Sequence, residues 1–363
     1  MNGQFLIGLS IDHLPTPAPV LDFTAFSHNL EYMSNYLAKG NTVIRPHAKT
    51  HKTPIIAHHQ LRAGAKGVCC ATIGEAEVMA YAGIDDILLA NEVIGEDAIR
   101  RAVNLARHVE LKVVADSLDN IETLSAAARQ YGVILEVLVD LDVGLGRCGA
   151  RTIEQLLLLA KAVHQSHSLR LRGVFGYEGQ VQFIADREER TRQGRAANEL
   201  LVEAAKTLSA SGLPIEIVSG AGTGTFDIAA EFPGITEIQA GSYIFMDGTY
   251  QKLGLPFKQA LTVLSTVISC PTNDLAILDV GLKGISPERF NPSIQGYETT
   301  IEIKKLAEEH AVAQIQTGQA LRSGMKVQLV PSHCCTTVNL YDYLYVCREG
   351  IIEAIWPIAA RRA

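Results

Sequence analysis

The chain has 363 residues, 47% apolar and 20% charged, a globular composition that excludes a disordered, collagenous or low-complexity protein. Its 32 basic and 39 acidic residues are scattered and leave a net charge of -7, which argues against a nucleic-acid partner, since phosphate backbones need a basic face. The opening MNGQFLIGLSIDHLP has no basic lead and its apolar run breaks at Asp12, too short for a signal peptide or a membrane span, so a cytoplasmic protein is expected. The length predicts a large domain plus a smaller one. Seven cysteines in so long a chain form no secreted disulfide framework and are expected to be reduced core residues, with the pair Cys334 and Cys335 set apart.

In chain order, a helix is predicted over 26–37, with Phe26, Leu30, Met33 and Leu37 on one face. Eight short β-branched or Leu-rich runs then follow, at 42–45, 67–70, 86–89, 111–114, 134–140, 171–176, 215–219 and 237–240. Helical stretches lie between most of them. Thr53 and Pro54 read as N-cap and first turn of one that ends by Gly64, and Ser117 caps another that ends at Gly132. Eight strands alternating with helices over about two hundred residues predict an α/β chain with a (β/α)8 TIM barrel; a doubly wound sheet gives the same local pattern, but the count favours the barrel. From about residue 255 the texture becomes mainly β, with strands at 260–269, 275–279, 325–330, 343–347 and 351–355 and a helix-like patch at 303–310. The expected division is a barrel over 25–254 and a β domain over 255–363, to which residues 1–24 return.

In a barrel the segments following the strands converge on one mouth. After the first strand comes RPHAKTHK, residues 45–52. Pro46 keeps the chain extended, which would put Arg45, His47 and Lys49 on one face and Lys49 in the mouth. A buried lysine among cations is suited to Schiff-base chemistry; a solvated basic loop is the plain alternative. After the seventh strand comes GAGTGT, with Gly222, Thr223, Gly224 and Thr225, and after the eighth Gly241, Ser242 and Tyr243. These two loops are the usual phosphate cradle of barrels, though tight turns also call for glycine. A phosphate cradle opposite a lysine suggests pyridoxal 5'-phosphate. Arg147, on a glycine-rich turn after the fifth strand, could contact the ring oxygen or a substrate carboxylate, and Tyr177 could face the ring; a surface arginine and a rim tyrosine are the alternatives.

In the β domain, His333 and Cys335 stand two residues apart and share a face on extended backbone, with Cys334 expected to face away. Imidazole plus thiolate suits zinc, and two protein ligands leave positions for water and substrate; a lone H-x-C also fits a histidine beside a buried cysteine. Cys69, Cys70, Cys148, Cys270 and Cys347 read as packing residues.

Together RPHAKTHK, the turn with Arg147, the GTGT and GSY loops and the PSHCCTTVNLYD run at 331–342 resemble the D-threonine aldolase and D-serine dehydratase family of fold-type III, alanine-racemase-like pyridoxal phosphate enzymes. The resemblance spans nearly the whole chain. It implies a pyridoxal phosphate barrel, a C-terminal β domain and a divalent metal beside the cofactor. Lys49 matches the Schiff-base lysine, grouped here with His47 and His51 as catalytic candidates, and His333 and Cys335 match the metal ligands. The aldolase branch tends to carry Asp where this chain has Cys335, whereas the TVNLYD run and the closing WPIAAR look aldolase-like; Gln180 stands where the family pattern has His. The expected activity is a lyase on D-β-hydroxy-α-amino acids, with D-threonine aldolase-like cleavage to glycine and an aldehyde. D-serine dehydratase-like elimination is the alternative, and a racemase, a non-catalytic cofactor carrier or a cofactor-free phosphosugar enzyme are more remote. Thiolate ligation favours zinc over manganese. A homodimer is expected from the family and from the economy of two-fold interfaces.

Overall fold

A computed structural model describes residues 4–316 and 321–361. In chain order the elements are β1 (Ala18–Asp22), α1 (Phe23–Leu37), β2 (Val43–Ile44), α2 (Pro54–Arg62), β3 (Val68–Cys70), α3 (Ile73–Tyr81), β4 (Asp86–Glu92), α4 (Glu96–Leu105), β5 (Glu110–Ala115), α5 (Leu118–Tyr131), β6 (Leu135–Asp140), α6 (Ile153–Gln165), β7 (Leu169–Gly176), α7 (Arg187–Ala210), β8 (Ile217–Gly220), α8 (Phe226–Ala230) and β9 (Glu237–Ile238). They continue with α9 (Gly248–Gln251), β10 (Leu261–Thr272), β11 (Leu275–Leu278), β12 (Ser293–Ile294), β13 (Ile301–Leu306), β14 (Ala311–Ile315), β15 (Lys326–Val330), α10 (Cys334–Val338), β16 (Tyr343–Arg348) and β17 (Ile351–Pro357). Two compact units result: a barrel unit of residues 33–49 and 54–241, and a β unit of residues 4–32, 50–53 and 242–361.

In the barrel unit, β2 to β9 are the eight strands expected from the alternation, all parallel, in the order β2-β9-β8-β7-β6-β5-β4-β3. The two ends of that order meet where Cys69 N donates to Pro46 O (2.9 Å) and His47 bridges Cys69. The strands are buried almost along their length, as parallel strands covered on both faces must be. Cys69, Leu88, Val114, Leu138 and Phe175, one from each of β3 to β7, pack together as one cluster. Helix ends follow local chemistry: the Ser117 side chain accepts from Asn120 N and left-handed Gly132 ends α5, while Thr72, Thr152 and Asp186 cap α3, α6 and α7.

The starts of the strands carry a buried ion-pair network. Arg45, 1% exposed, reaches Glu237 Oε2 (2.8 Å) and Asp86 Oδ1 (2.6 Å), and Lys112 Nζ reaches Asp86 (2.8 Å) and Glu136 (3.4 Å). Burial alone would raise the Asp86 carboxyl, but Arg45 and Lys112 hold it below its usual range. The network needs Gly67, because a Cβ there would overlap Arg45 and the Asp86 carbonyl. Arg45 therefore does not share a face with Lys49 at the mouth. β2 stops at Ile44 and residues Ala48–Thr50 form a 3-10 turn, so the period of two is lost after His47.

In the β unit the strand order is β13-β14-β11-β10-β1-β16-β17, with β15 pairing β10 and β12. The N-terminal β1 pairs antiparallel with β10 and parallel with β16. Val263, Leu278, Ala313 and Leu329 anchor the core, and Phe23 and Phe26 pack edge-on against Trp356. The helical patch expected at 303–310 is a correction. Ile301 and Ile303 are buried, with exposed Glu302 between them and exposed Lys304 after them, and this stretch pairs with β14 as a hairpin; tertiary pairing overrides the helix-favouring charges.

Candidate active site

The barrel unit brings two of the expected cofactor residues to the ring of a third. Tyr177, directly after β7, has Lys49 Nζ 5.8 Å from its ring centre and the Arg147 guanidinium carbon 5.9 Å away. Lys49 is half-buried, and among the described residues its ammonium has no hydrogen-bond or ion-pair partner, unlike the cations at the strand starts. Arg147 is exposed on a loop knitted by Asp142, whose Oδ1 accepts from Gly144 N and Gly146 N (3.0 Å each), while Arg151 binds both Asp142 and Arg147 O. The exposed Gln180 clamps this loop by donating to Val143 O (3.2 Å). His47 is 8% exposed and its N donates to Ala240 O.

Gly222, Thr223, Gly224 and Thr225 form the loop after β8, and Gly241 follows β9. A side chain at either of two glycines would collide with Gln182: a Cβ on Gly222 would lie 2.5 Å from its Oε1, and one on Gly224 would overlap its carbonyl oxygen. The glycines thus belong to a closely held loop, as a phosphate cradle requires. With the unpartnered lysine, the residues fit pyridoxal phosphate: Lys49 to bond its carbonyl carbon, this loop to receive its phosphate and Tyr177 beside its ring.

Near Arg147 lies a group that sequence reasoning missed. Asp140 and Glu92, at the ends of β6 and β4, interact with each other, and Asp116 and Cys148 complete the cluster. Burial first, then Glu92 and Asp116, push Asp140 up to about 8 against the pull of Arg147. Burial and Glu92 push the Cys148 thiol up to about 11, so Cys148 neighbours carboxyls rather than apolar packing partners. No periodicity marks these residues; the signal is an acidic residue at the end of two barrel strands.

The β unit carries the expected metal ligands. His333 N-caps α10 with extended backbone, and Cys334 and Cys335 begin the helix. Cys334 therefore does not face away, because helical rather than extended backbone turns its thiol toward its neighbours. The ligand atoms of His333, Cys334 and Cys335 lie within 4.8 Å of one another. A hydrogen bond from Cys334 and the neighbouring His333, against burial, hold the Cys335 thiol well below its usual range. Burial lowers His333, but the Cys335 thiolate and Asp247 outweigh it and bring the imidazole up to about 10.

Asp247, fully buried, organises this corner. Its Oδ1 accepts from Thr249 N and Tyr250 N (3.0 Å each) at the start of α9, and its Oδ2 accepts from His333 Nδ1 (2.8 Å) and Cys334 N (2.9 Å). With Nδ1 committed to a carboxylate, His333 Nε2 is the nitrogen left for a metal, and a thiolate stands beside it; the donor set fits a divalent ion. Thr50 Oγ1 lies 3.4 Å from Cys335 Sγ and Ser242 Oγ 3.8 Å. Thr50 directly follows Lys49 in the chain. Asp247 could have been suspected from its Asp-Gly-Thr N-cap pattern. His51, fully buried, accepts from Thr53 N on Nδ1 (3.1 Å), and the Tyr243 ring packs on Phe257.

Comparisons with known proteins bear on the chain as a whole. Residues 21–249 match the alanine racemase N-terminal domain family and residues 260–347 a serine dehydratase domain family. The chain is 39% identical to a D-threonine aldolase from Arthrobacter sp. over 98% of its own length and 94% of that protein's. The crystal structure of D-threonine aldolase from Filomicrobium marinum superposes with a TM-score of 0.95 at 34% identity, covering 98% of each chain. The D-threo-3-hydroxyaspartate dehydratase of Delftia sp., solved also as a cysteine-to-alanine variant in the metal-free form, gives 0.89 at 26%, covering 96% of this chain and 98% of that one. The chain belongs to the fold-type III, alanine-racemase-like family of pyridoxal phosphate lyases that includes D-threonine aldolase.

Proposed function

We propose that the chain cleaves D-β-hydroxy-α-amino acids, D-threonine among them, to glycine and an aldehyde. The cofactor is held by residues 25–254 and a divalent metal, zinc in this reading, by residues 255–363 with 1–24. The observation that carries the reading is the pairing, in one chain, of a half-buried Lys49 whose ammonium faces the Tyr177 ring with a His333 imidazole that Asp247 holds beside Cys335. Likeness to an aldolase over 98% of the chain supports carbon–carbon cleavage. Seven free cysteines suit a reducing, cytoplasmic setting. The assembly in this reading is a homodimer.

Pyridoxal phosphate, when bound, supplies an electron sink conjugated to the substrate Cα, and the metal supplies a Lewis acid for the β-hydroxyl. Lys49 would hold the cofactor, and as a free amine would be the group placed to deliver the proton that Cα takes up once its bond to Cβ has broken. Arg147 and Tyr177 would contact the cofactor ring and so help to orient the substrate bonds at Cα. His333 Nε2 and Cys335 Sγ hold the metal, and Asp247 fixes the ring tautomer that leaves Nε2 available. His47 and His51 are the candidates for the β-hydroxyl proton. Gln180, an amide, cannot serve as that base. Elimination from D-serine is a second reading, favoured by the solved dehydratase whose metal-free form lacks a cysteine.

Purified protein given pyridoxal phosphate and zinc is expected to release acetaldehyde and glycine from D-threonine and not from L-threonine. Chelation should abolish the activity and added zinc or manganese restore it. Cleavage that persists after full metal removal would sink the metal reading.

A further inference from the structure

Glu178 follows Tyr177 at the end of β7, is 1% exposed, and has no place in the chemistry above. Its Oε1 accepts from Thr225 Oγ1 (2.5 Å) and Gln182 Nε2 (3.1 Å), and its Oε2 from Ala221 N (3.1 Å). Gln182, also fully buried, takes Gly224 N on its Oε1 (2.9 Å) and donates to Thr225 Oγ1 (2.8 Å), which in turn receives Gly222 N (3.3 Å). Two N–H groups and one hydroxyl of the 221–225 loop are thus tied from behind by two side chains, and the tied hydroxyl in turn holds a third N–H, that of Gly222. Among the described residues no cation lies within ion-pair distance of Glu178, so its carboxyl is committed to the loop rather than to balancing charge.

The loop needs this support. Ala221 has φ 62°, a left-handed conformation that a residue with a Cβ rarely takes, and Glu178 is what binds its N–H. Residues in such conformations persist when their surroundings over-determine them. We propose that Glu178 is the positioning residue of the phosphate cradle: through Ala221 and Thr225 it fixes the loop in the shape that receives the phosphate end of the cofactor. The proposal rests on the reading of this loop as the cradle, and the same experiment separates the two.

The test is equilibrium dialysis of the cofactor-free chain against pyridoxal phosphate and, separately, against pyridoxal, which shares the ring and the aldehyde and lacks the phosphate. The wild-type chain is expected to prefer the phosphorylated form strongly. Glu178→Ala should weaken pyridoxal phosphate by about tenfold or more while pyridoxal stays within about twofold, the size expected when buried donors lose their acceptor at one end of the ligand only. Glu178→Gln, which keeps an acceptor for Ala221 N and a group able to bond Thr225, should recover most of the lost affinity. Should the alanine variant not fold, Glu178→Asp, one methylene too short to reach Thr225, should show the same phosphate-selective loss. Equal loss for both ligands, or no loss, overturns the role of Glu178. A wild-type chain that does not distinguish the two ligands overturns the cradle reading itself, and the proposal with it.

Discussion

The two ends of the barrel spend their charges differently. At the strand starts the carboxylates of Asp86, Glu136 and Glu237 meet the side chains of buried Arg45 and Lys112, each cation having its partners within 3.4 Å. At the strand ends Lys49 has a tyrosine face instead of a carboxylate, Arg147 is exposed, and Asp140 shares its surroundings with Glu92 and Asp116. Charges that complete one another lock a fold; charges left short of a partner are kept for a ligand, at a cost in stability.

Substitutions at the two ends should therefore separate activity from stability. The largest expected effect is Lys49→Ala, which should lower kcat/KM by roughly 10⁴ or more and remove the visible absorbance of lysine-bound cofactor, with the melting temperature nearly kept. Next, Cys335→Ala or His333→Ala should cost on the order of 10³-fold in activity and abolish stoichiometric metal by elemental analysis. At the other end, Arg45→Met should lower unfolding stability by about 3–5 kcal/mol in urea titrations while kcat/KM of the folded fraction stays put. Equal losses of activity and stability at both ends would break the contrast. Asp247→Asn should weaken metal affinity by about 10- to 100-fold, since the amide still fills the space but no longer holds His333 as a carboxylate does.

The smallest expected effect is a pH dependence. Folded Asp140, near 8, keeps a proton that the unfolded chain has lost above 3.8. The native state thus binds more protons across that window, and the stability contributed by this pair is lost as pH rises toward 8. Asp140→Asn should flatten the slope of melting temperature against pH by a few degrees. An unchanged slope would show that Asp140 is ionised throughout.

Much of this was legible in the sequence for physical reasons. Parallel barrel strands buried on both faces show as β-branched and Leu-rich runs, and caps such as Ser117 and Gly132 mark helix ends by local chemistry. The 301–306 strand was not legible, because its partner β14 lies beyond a turn and its charges favour a helix. Lys49, Arg147 and Tyr177 could be found because each follows a strand. Asp247 shows in the sequence only as the N-cap of an Asp-Gly-Thr turn, and Glu178 and Gln182 do not show at all, since what singles them out is which atoms their oxygens face in three dimensions. The helical start at Cys334 was missed for the same reason: an H-x-C spacing does not declare its backbone.

The most direct test of the account is to quantify glycine and ammonia together in one reaction of the zinc- and pyridoxal-phosphate-loaded protein with D-threonine. Glycine matching the acetaldehyde formed, with no ammonia, is the predicted result. Ammonia and a 2-oxo acid without glycine would contradict it and make the chain a dehydratase.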